Sequence, residues 1–257
     1  MKISVCCPSY KRPERIETAQ YLPEVRVYVS PEEFKEYREK NPKVEIIRCD
    51  PGVQGNVSRV RNFILKKEFE RGMDAVCIVD DDLKGIYYWE KKERIPVEGK
   101  AVKRMIEKYS RLAKEWGAYL WGANLNQDKQ VYREYTPFST VSPILGPFGV
   151  FLRGNECRYD ERLLLKEDYD MSIQNLNRYR IVLRVNKYFY ECKQSEQAGG
   201  CAAQRNFKRE LEQLKLLQKK WGTEIVRRDE SPRSHNLKKK KVREDYNPLI
   251  YVPIKGV

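Results

Sequence analysis

Ala75-Val76-Cys77-Ile78-Val79-Asp80-Asp81-Asp82 is the stretch on which the fold turns. Five apolar residues rich in β-branched side chains read as a strand, and it runs straight into three carboxylates. Those acids stand at its C-terminal edge, where ligands bind in open α/β sheets. In extended chain alternate residues point the same way, so Asp80 and Asp82 are expected to converge while Asp81 faces elsewhere. Two carboxylates with phosphate oxygens and waters suit an octahedral Mg2+ or Mn2+. The plainer reading is a polar strand end followed by a turn.

Working outward, Ile3–Cys7 is a short apolar run closed by Pro8, Val25–Val29 a second and Val44–Cys49 a third. Ser30 is placed to cap a helix through Pro31-Glu32-Glu33. Asn56 opens a helix with Val57, Val60, Ile64 and Leu65 on one side. Strands alternating with helices argue for a parallel α/β sheet. Further strands are predicted at Tyr119–Asn124, Phe148–Arg153 and Ile181–Val185. A helix is predicted within Leu163–Leu176, and another over Phe207–Trp221 with Phe207, Leu211, Leu214, Leu217 and Trp221 on one face. Asn247–Ile254 is apolar again and is expected to dock back. The organisation expected is one mixed, mainly parallel α/β domain over residues 1–225 and a basic tail over 226–257.

The chain has 257 residues, enough for a core without disulfide or metal staples. No apolar run approaches the ~20 residues of a membrane span, and the N-terminus lacks a signal-peptide pattern, so a cytoplasmic protein is expected. Seven cysteines, none in a C-x-x-C pair, read as reduced and mostly buried. His235 is the single histidine, which argues against His-rich metal sites and Ser-His-Asp catalysis.

The formal net charge of +14 points to a polyanionic partner. Lys100–Trp116 reads as a helix with Val102, Met105, Ile106, Tyr109, Leu112, Ala113 and Trp116 on one stripe. The opposite stripe carries Lys100, Lys103, Arg104, Lys108, Arg111 and Lys114. Between Arg227 and Arg243 there are eight basic residues and two acidic ones, including Lys238, Lys239, Lys240 and Lys241. Each feature alone also suits a solvated surface. Together with the net charge they favour nucleic acid, bound through phosphates without sequence reading.

Neither G-x-x-x-x-G-K-[ST] nor a G-x-G-x-x-G after the first strand is present, so P-loop and dinucleotide-binding readings are poor. The first strand ends instead in Pro8-Ser9-Tyr10-Lys11-Arg12-Pro13. The third leads to Gly52-Val-Gln-Gly55-Asn56-Val-Ser58-Arg59-Val-Arg61-Asn62. These two elements followed by Val79-Asp80-Asp81-Asp82 resemble a GT-A-fold glycosyltransferase, a Rossmann-like α/β architecture. Over roughly residues 1–205 the spacing looks most like the TET-associated glycosyltransferase family, mainly of bacteriophages and proposed to glycosylate hydroxymethylated DNA bases.

The resemblance implies roles. Pro8, Ser9, Tyr10 and Arg12 would border the nucleotide base and ribose, and Arg61-Asn62 would help close that pocket beside Gly55 and Asn56. Asp80 and Asp82 would hold the ribose and the diphosphate-bound metal, with Asp81 beside them. A later Glu-Asp pair, matched by Glu167-Asp168, would supply the acceptor's base, Asp168 being the first candidate. By composition alone, Glu167, Asp168 and Asp170 equally suit the first turn of a helix, where the dipole favours acids. Leu145-Gly146-Pro-Phe148-Gly149 reads as backbone able to approach a ligand or as a tight turn. Lys193–Gly200 reads as a phosphate cradle or a plain loop. Many GT-A enzymes use a C-terminal histidine on the metal, a role His235 fits poorly from within a charged tail.

The expected activity is hexosyl transfer by a monomeric enzyme, dependent on Mn2+ or Mg2+. The donor would be UDP-glucose or UDP-N-acetylglucosamine and the acceptor 5-hydroxymethylcytosine in duplex DNA, in the host cytoplasm if phage-encoded. Attack at an oxocarbenium-like anomeric carbon, with Asp168 taking the proton, would invert that centre. A base in a duplex would have to be flipped out, and Tyr87, Tyr88 and Trp89 either stack on it or belong to the core. Competing readings are a glycan, lipid or protein acceptor, and a non-enzymatic nucleic-acid binder.

Overall fold

A computed structural model describes residues 1–14, 16–91, 93–125, 132–192, 207–228 and 247–254. Strands β1 (Ile3–Pro8), β2 (Arg26–Val29), β3 (Glu45–Arg48) and β4 (Ala75–Val79) run parallel in the order β3-β2-β1-β4. Every residue of β4 is buried, as expected for an apolar run covered on both faces. The connections between these strands carry α1 (Glu17–Tyr21), α2 (Phe34–Lys40) and α3 (Val57–Glu70). Asn56 caps α3, its side chain accepting from Arg59 N (3.2 Å). Ser30 forms the expected capping turn, exchanging hydrogen bonds with Glu33, but the α2 helix starts only at Phe34.

Beyond β4 the sheet becomes mixed. β5 (Leu83–Glu90) and β6 (Glu93–Val97) form a hairpin, α4 (Lys100–Glu115) crosses back, and β7 (Leu120–Asn124) follows. β8 (Phe138–Ser139), β9 (Phe148–Leu152), α5 (Glu167–Tyr179) and β10 (Leu183–Cys192) come next. The full order is β3-β2-β1-β4-β9-β7-β10-β5-β6, with β8 on β10. β9 lies antiparallel between β4 and β7, and β10 is parallel to β7 but antiparallel to β5. The chain is thus a mixed α/β sheet flanked by helices.

Alternation along the strands divides the core. Cys7, Val27, Val29, Cys77 and Val79 pack on one side with the α4 stripe Val102, Met105, Ile106 and Tyr109. Cys6, Tyr28, Val76 and Ile78 pack on the other with Val60 and Ile64 of α3 and Met171 and Leu176 of α5. Each fully buried side chain of this size contributes about 1.5–3 kcal/mol. The helix predicted at Lys100–Trp116 is present, except that Trp116 lies 42% exposed just past its end, edge-on to Phe138.

α6 (Phe207–Trp221) rests Leu214 and Leu217 on Leu163 and Ile173. β11 (Val226–Arg228) pairs with β12 (Pro248–Ile250), which brings the apolar segment after Asn247 back against the body. Two readings need correction. The strand predicted at Ile181–Val185 extends to Cys192, because Tyr188-Phe189-Tyr190 continues it against β5. The β5–β6 hairpin is not predicted at all, although Tyr87-Tyr88-Trp89 has strand propensity and Pro96 is tolerated on the edge strand. Tyr87 and Trp89 both stack on Phe189, while Tyr88 packs on Tyr188 across the sheet.

Candidate active site

At the C-terminal edge of β4 the three acids part company. Asp81 is turned inward, where Ser9 Oγ donates to Oδ2 (2.7 Å) and Arg12 Nη1 to Oδ1 (2.7 Å). Asp81 therefore belongs to the same site as its neighbours, contrary to simple alternation, because the chain leaves strand geometry after Val79. Tyr37 OH completes this link, bonding Ser9 Oγ (2.9 Å) and accepting from Arg12 N (2.9 Å). Thr18 of α1 pins the corner into β5, its hydroxyl donating to Asp80 O and accepting from Leu83 N (3.0 Å). The Pro8–Arg12 turn is thus locked to the acidic strand end by a buried ion pair.

Arg61 performs a matching task from α3. Its Nη2 donates to Asp80 Oδ1 (2.9 Å) and its Nη1 to Glu167 Oε1 (2.8 Å), while the guanidinium lies over the Tyr159 ring. Burial pushes the Glu167 carboxyl up to about 7 against the pull of Arg61. Asn62, expected beside Arg61 in the pocket, points away: it exchanges two hydrogen bonds with the Tyr159 backbone and so holds the ring on which Arg61 rests.

Asp168, one residue on, has a different environment. Its Oδ2 accepts from Gly146 N (2.9 Å) and its Oδ1 from Tyr169 N (2.8 Å). Gly146 adopts φ +69°, and a Cβ there would meet Tyr190 OH at 2.6 Å, so only glycine lets this backbone reach the acid. Tyr190 OH in turn donates to Leu145 O (2.8 Å).

These groups surround one cavity of about 330 Å³. Pro8, Ser9, Tyr10, Arg12, Gly55, Asn56, Arg61, Asp80, Asp81, Asp82, Glu167 and Asp168, the residues singled out from sequence, all line it. Lys193, His235 and Lys238–Lys241 lie outside the described residues. Tyr87, Tyr88 and Trp89 are not part of its wall. Leu125, Cys192 and Asn247 are, and sequence reasoning missed them. Leu125 follows the end of β7 and Cys192 ends β10, so the strand-edge rule finds both once the strands are drawn to full length. Nothing local to Asn247 marks it.

Among the described residues no three His, Cys, Asp or Glu side chains by themselves form a metal-binding group. The acid set nevertheless suits a divalent cation that shares its coordination with a diphosphate and waters. Arg12 answers Asp81 and Arg61 answers Asp80, but Asp82, 8% exposed, forms no ion pair among the described residues. Burial and its two acidic neighbours push its carboxyl up to about 6, against the pull of the Arg12 guanidinium.

No curated protein matches the chain in sequence. Among solved structures, the mannose-1-phosphate geranyltransferase of Thermus thermophilus aligns with a TM-score of 0.42 and 10% identity over 74% of this chain and 75% of that one. The model of the TET-associated glycosyltransferase family matches residues 3–200, the span that contains the β1 turn, Arg61, the β4 acids and Asp168. By that match the chain is a glycosyltransferase and belongs to the TET-associated glycosyltransferase family.

Proposed function

We propose that the protein transfers a hexose from a UDP-sugar, UDP-glucose or UDP-N-acetylglucosamine, to the hydroxymethyl group of 5-hydroxymethylcytosine in DNA. What carries the reading is the convergence, in one cavity, of the β4 acids with a carboxylate held by a backbone N–H. The nucleotide lies at the end formed by the Pro8–Arg12 turn, Gly55 and Asn56. Asp82, with Asp80 beside it, would hold Mn2+ or Mg2+, which when bound supplies Lewis acidity to the departing diphosphate.

At the other end Asp168 takes the acceptor's hydroxyl proton. The oxygen forms its bond to the anomeric carbon while the bond from that carbon to the phosphate oxygen breaks, its electron pair leaving on UDP. One displacement inverts the centre. Gly146 N–H and Tyr169 N–H fix both oxygens of Asp168, which fits a base that must not rotate away. Arg61 spans the two ends, holding Asp80 on one side and Glu167 on the other, so that donor and acceptor acids share one brace.

DNA would bind along the α4 face. Lys100, Lys103, Arg104, Lys108, Arg111 and Lys114 are all exposed. Lys103 reaches Glu24 and Arg111 reaches Glu107, whereas Lys100, Arg104, Lys108 and Lys114 form no ion pair among the described residues. Exposed cations without a partner carboxylate suit phosphate contacts.

The test is label transfer from UDP-glucose and UDP-N-acetylglucosamine, with Mn2+, to duplex DNA containing 5-hydroxymethylcytosine and to the same DNA with cytosine. Label on the modified DNA alone, lost in Asp82→Ala, supports the proposal. Label on neither DNA while UDP is still released discards the acceptor and keeps the donor.

A further inference from the structure

Leu163-Leu164-Leu165 delivers a lysine to the start of α5, and that lysine is almost wholly buried (1% exposed). An ammonium there keeps its charge only among acceptors. Lys166 Nζ donates to Glu210 Oε2 on α6 (2.5 Å) and to Asn247 Oδ1 (3.1 Å). Asn247 immediately precedes β12 and forms part of the cavity wall. The same helix grips the approach a second time. Gln213 Oε1 accepts from Leu164 N (2.6 Å), and its Nε2 donates to Arg162 O (3.2 Å). Further along α5, fully buried Asp170 accepts from Trp221 Nε1 (2.7 Å) and Lys220 Nζ (2.9 Å). Every partner on α6, and Asn247 itself, lies beyond the residues 3–200 that the family model matches.

We propose that Lys166 is a positioning residue: its ammonium ties the start of α5, which bears Glu167 and Asp168, to α6 and seats Asn247 in the cavity wall. The segment after the family region thereby shapes the end of the cavity where the acceptor hydroxyl is activated. This rests on the assignment of Asp168 to the acceptor made above. The charge itself is what distinguishes the proposal from simple filling of space. Methionine, of similar length, keeps the packing and removes the tie; it also leaves Glu210 without its ammonium, a loss of stability that the measurement temperature must respect.

The experiment compares wild type, Lys166→Met, Asn247→Ala and the double variant as full chains, well below their unfolding temperatures. Three quantities are read: UDP affinity with Mn2+ by calorimetry, UDP release from UDP-glucose with hydroxymethylated DNA, and amide hydrogen exchange over residues 163–168. For Lys166→Met, UDP affinity is expected within about twofold of wild type and turnover down by about tenfold or more, since small misplacements cost that much. Exchange over 163–168 rises and exchange in α3 does not. Asn247→Ala loses turnover less steeply, and the double variant is no worse than Lys166→Met, because both changes break one clasp.

Unchanged exchange and turnover in folded Lys166→Met overturn the proposal, as do losses that multiply in the double variant. If Lys166→Met fails to fold, exposed Asn247 decides: wild-type turnover and exchange in Asn247→Ala overturn it. If wild type itself releases no UDP, the functional reading falls, and the exchange over 163–168 still decides the clasp.

Discussion

Arg61 carries a guanidinium into a pocket that also holds Asp80, Asp81, Asp82 and Glu167, and with Arg12 it makes that acidity tolerable. Its removal would leave Glu167 buried and unpaired. Arg61→Ala is therefore expected to cost about 3–5 kcal/mol in urea unfolding, the usual outcome of breaking a buried pair from one side. Glu167 has a folded pKa pushed up to about 7, above its ordinary 4.5. Between those values the folded chain binds the extra proton, so this group's contribution is fully present at low pH and is lost as pH rises through about 7. Glu167→Gln should flatten that part of the Tm–pH curve, measured from acid to neutral pH; an unchanged slope would show that the proton resides elsewhere. Asp168→Asn should lower kcat by about 10²–10⁴-fold with UDP affinity retained, as loss of a general base does. A full-rate Asp168→Asn would remove Asp168 from the chemistry.

At the scale of elements, the turn before β9 decides where Asp168 sits. Gly146→Ala places a Cβ 2.6 Å from Tyr190 OH at a left-handed φ of +69°. It is expected to lower Tm and to slow turnover together, and Tyr190→Phe in the same chain should restore part of both by relieving the clash. Asn56→Ala removes the cap of α3, worth about 1 kcal/mol, and is read by chemical denaturation. These elements differ in how openly they announce themselves. α3, α4 and α6 were legible because their apolar residues recur with helical period and because Asn56 is a good cap. The β5–β6 hairpin was not, since Tyr87-Tyr88-Trp89 packs on both faces and blurs the alternation by which a half-buried strand is read.

For the molecule as a whole, a net charge of +14 implies binding of polyanions that weakens with salt. If the α4 face binds DNA, replacing Lys100, Arg104, Lys108 and Lys114 with alanine should lower the log–log salt slope by about 0.9 for each phosphate no longer neutralised. An unchanged slope in filter binding would move the interface to another face. Because the α4 side chains replaced are exposed, Tm should stay near that of wild type.

Read alone, the chain determines the strands around β4 and most of its helices, the acidic end of β4 and the short motifs that mark its family, because these follow from local periodicity and residue type. Tertiary structure alone decided how the acids are used. Ser9 meets Asp81 across 72 positions and Arg61 meets Glu167 across 106, and such pairings leave no mark in any short window. The inward turn of Asp81, the departure of Asn62 from the pocket and the arrival of Asn247 in its wall are set by where sheet order and helix packing bring distant segments together. Spacing along the chain carries no information about those meetings, since closing a long loop costs only slightly more free energy than closing a short one.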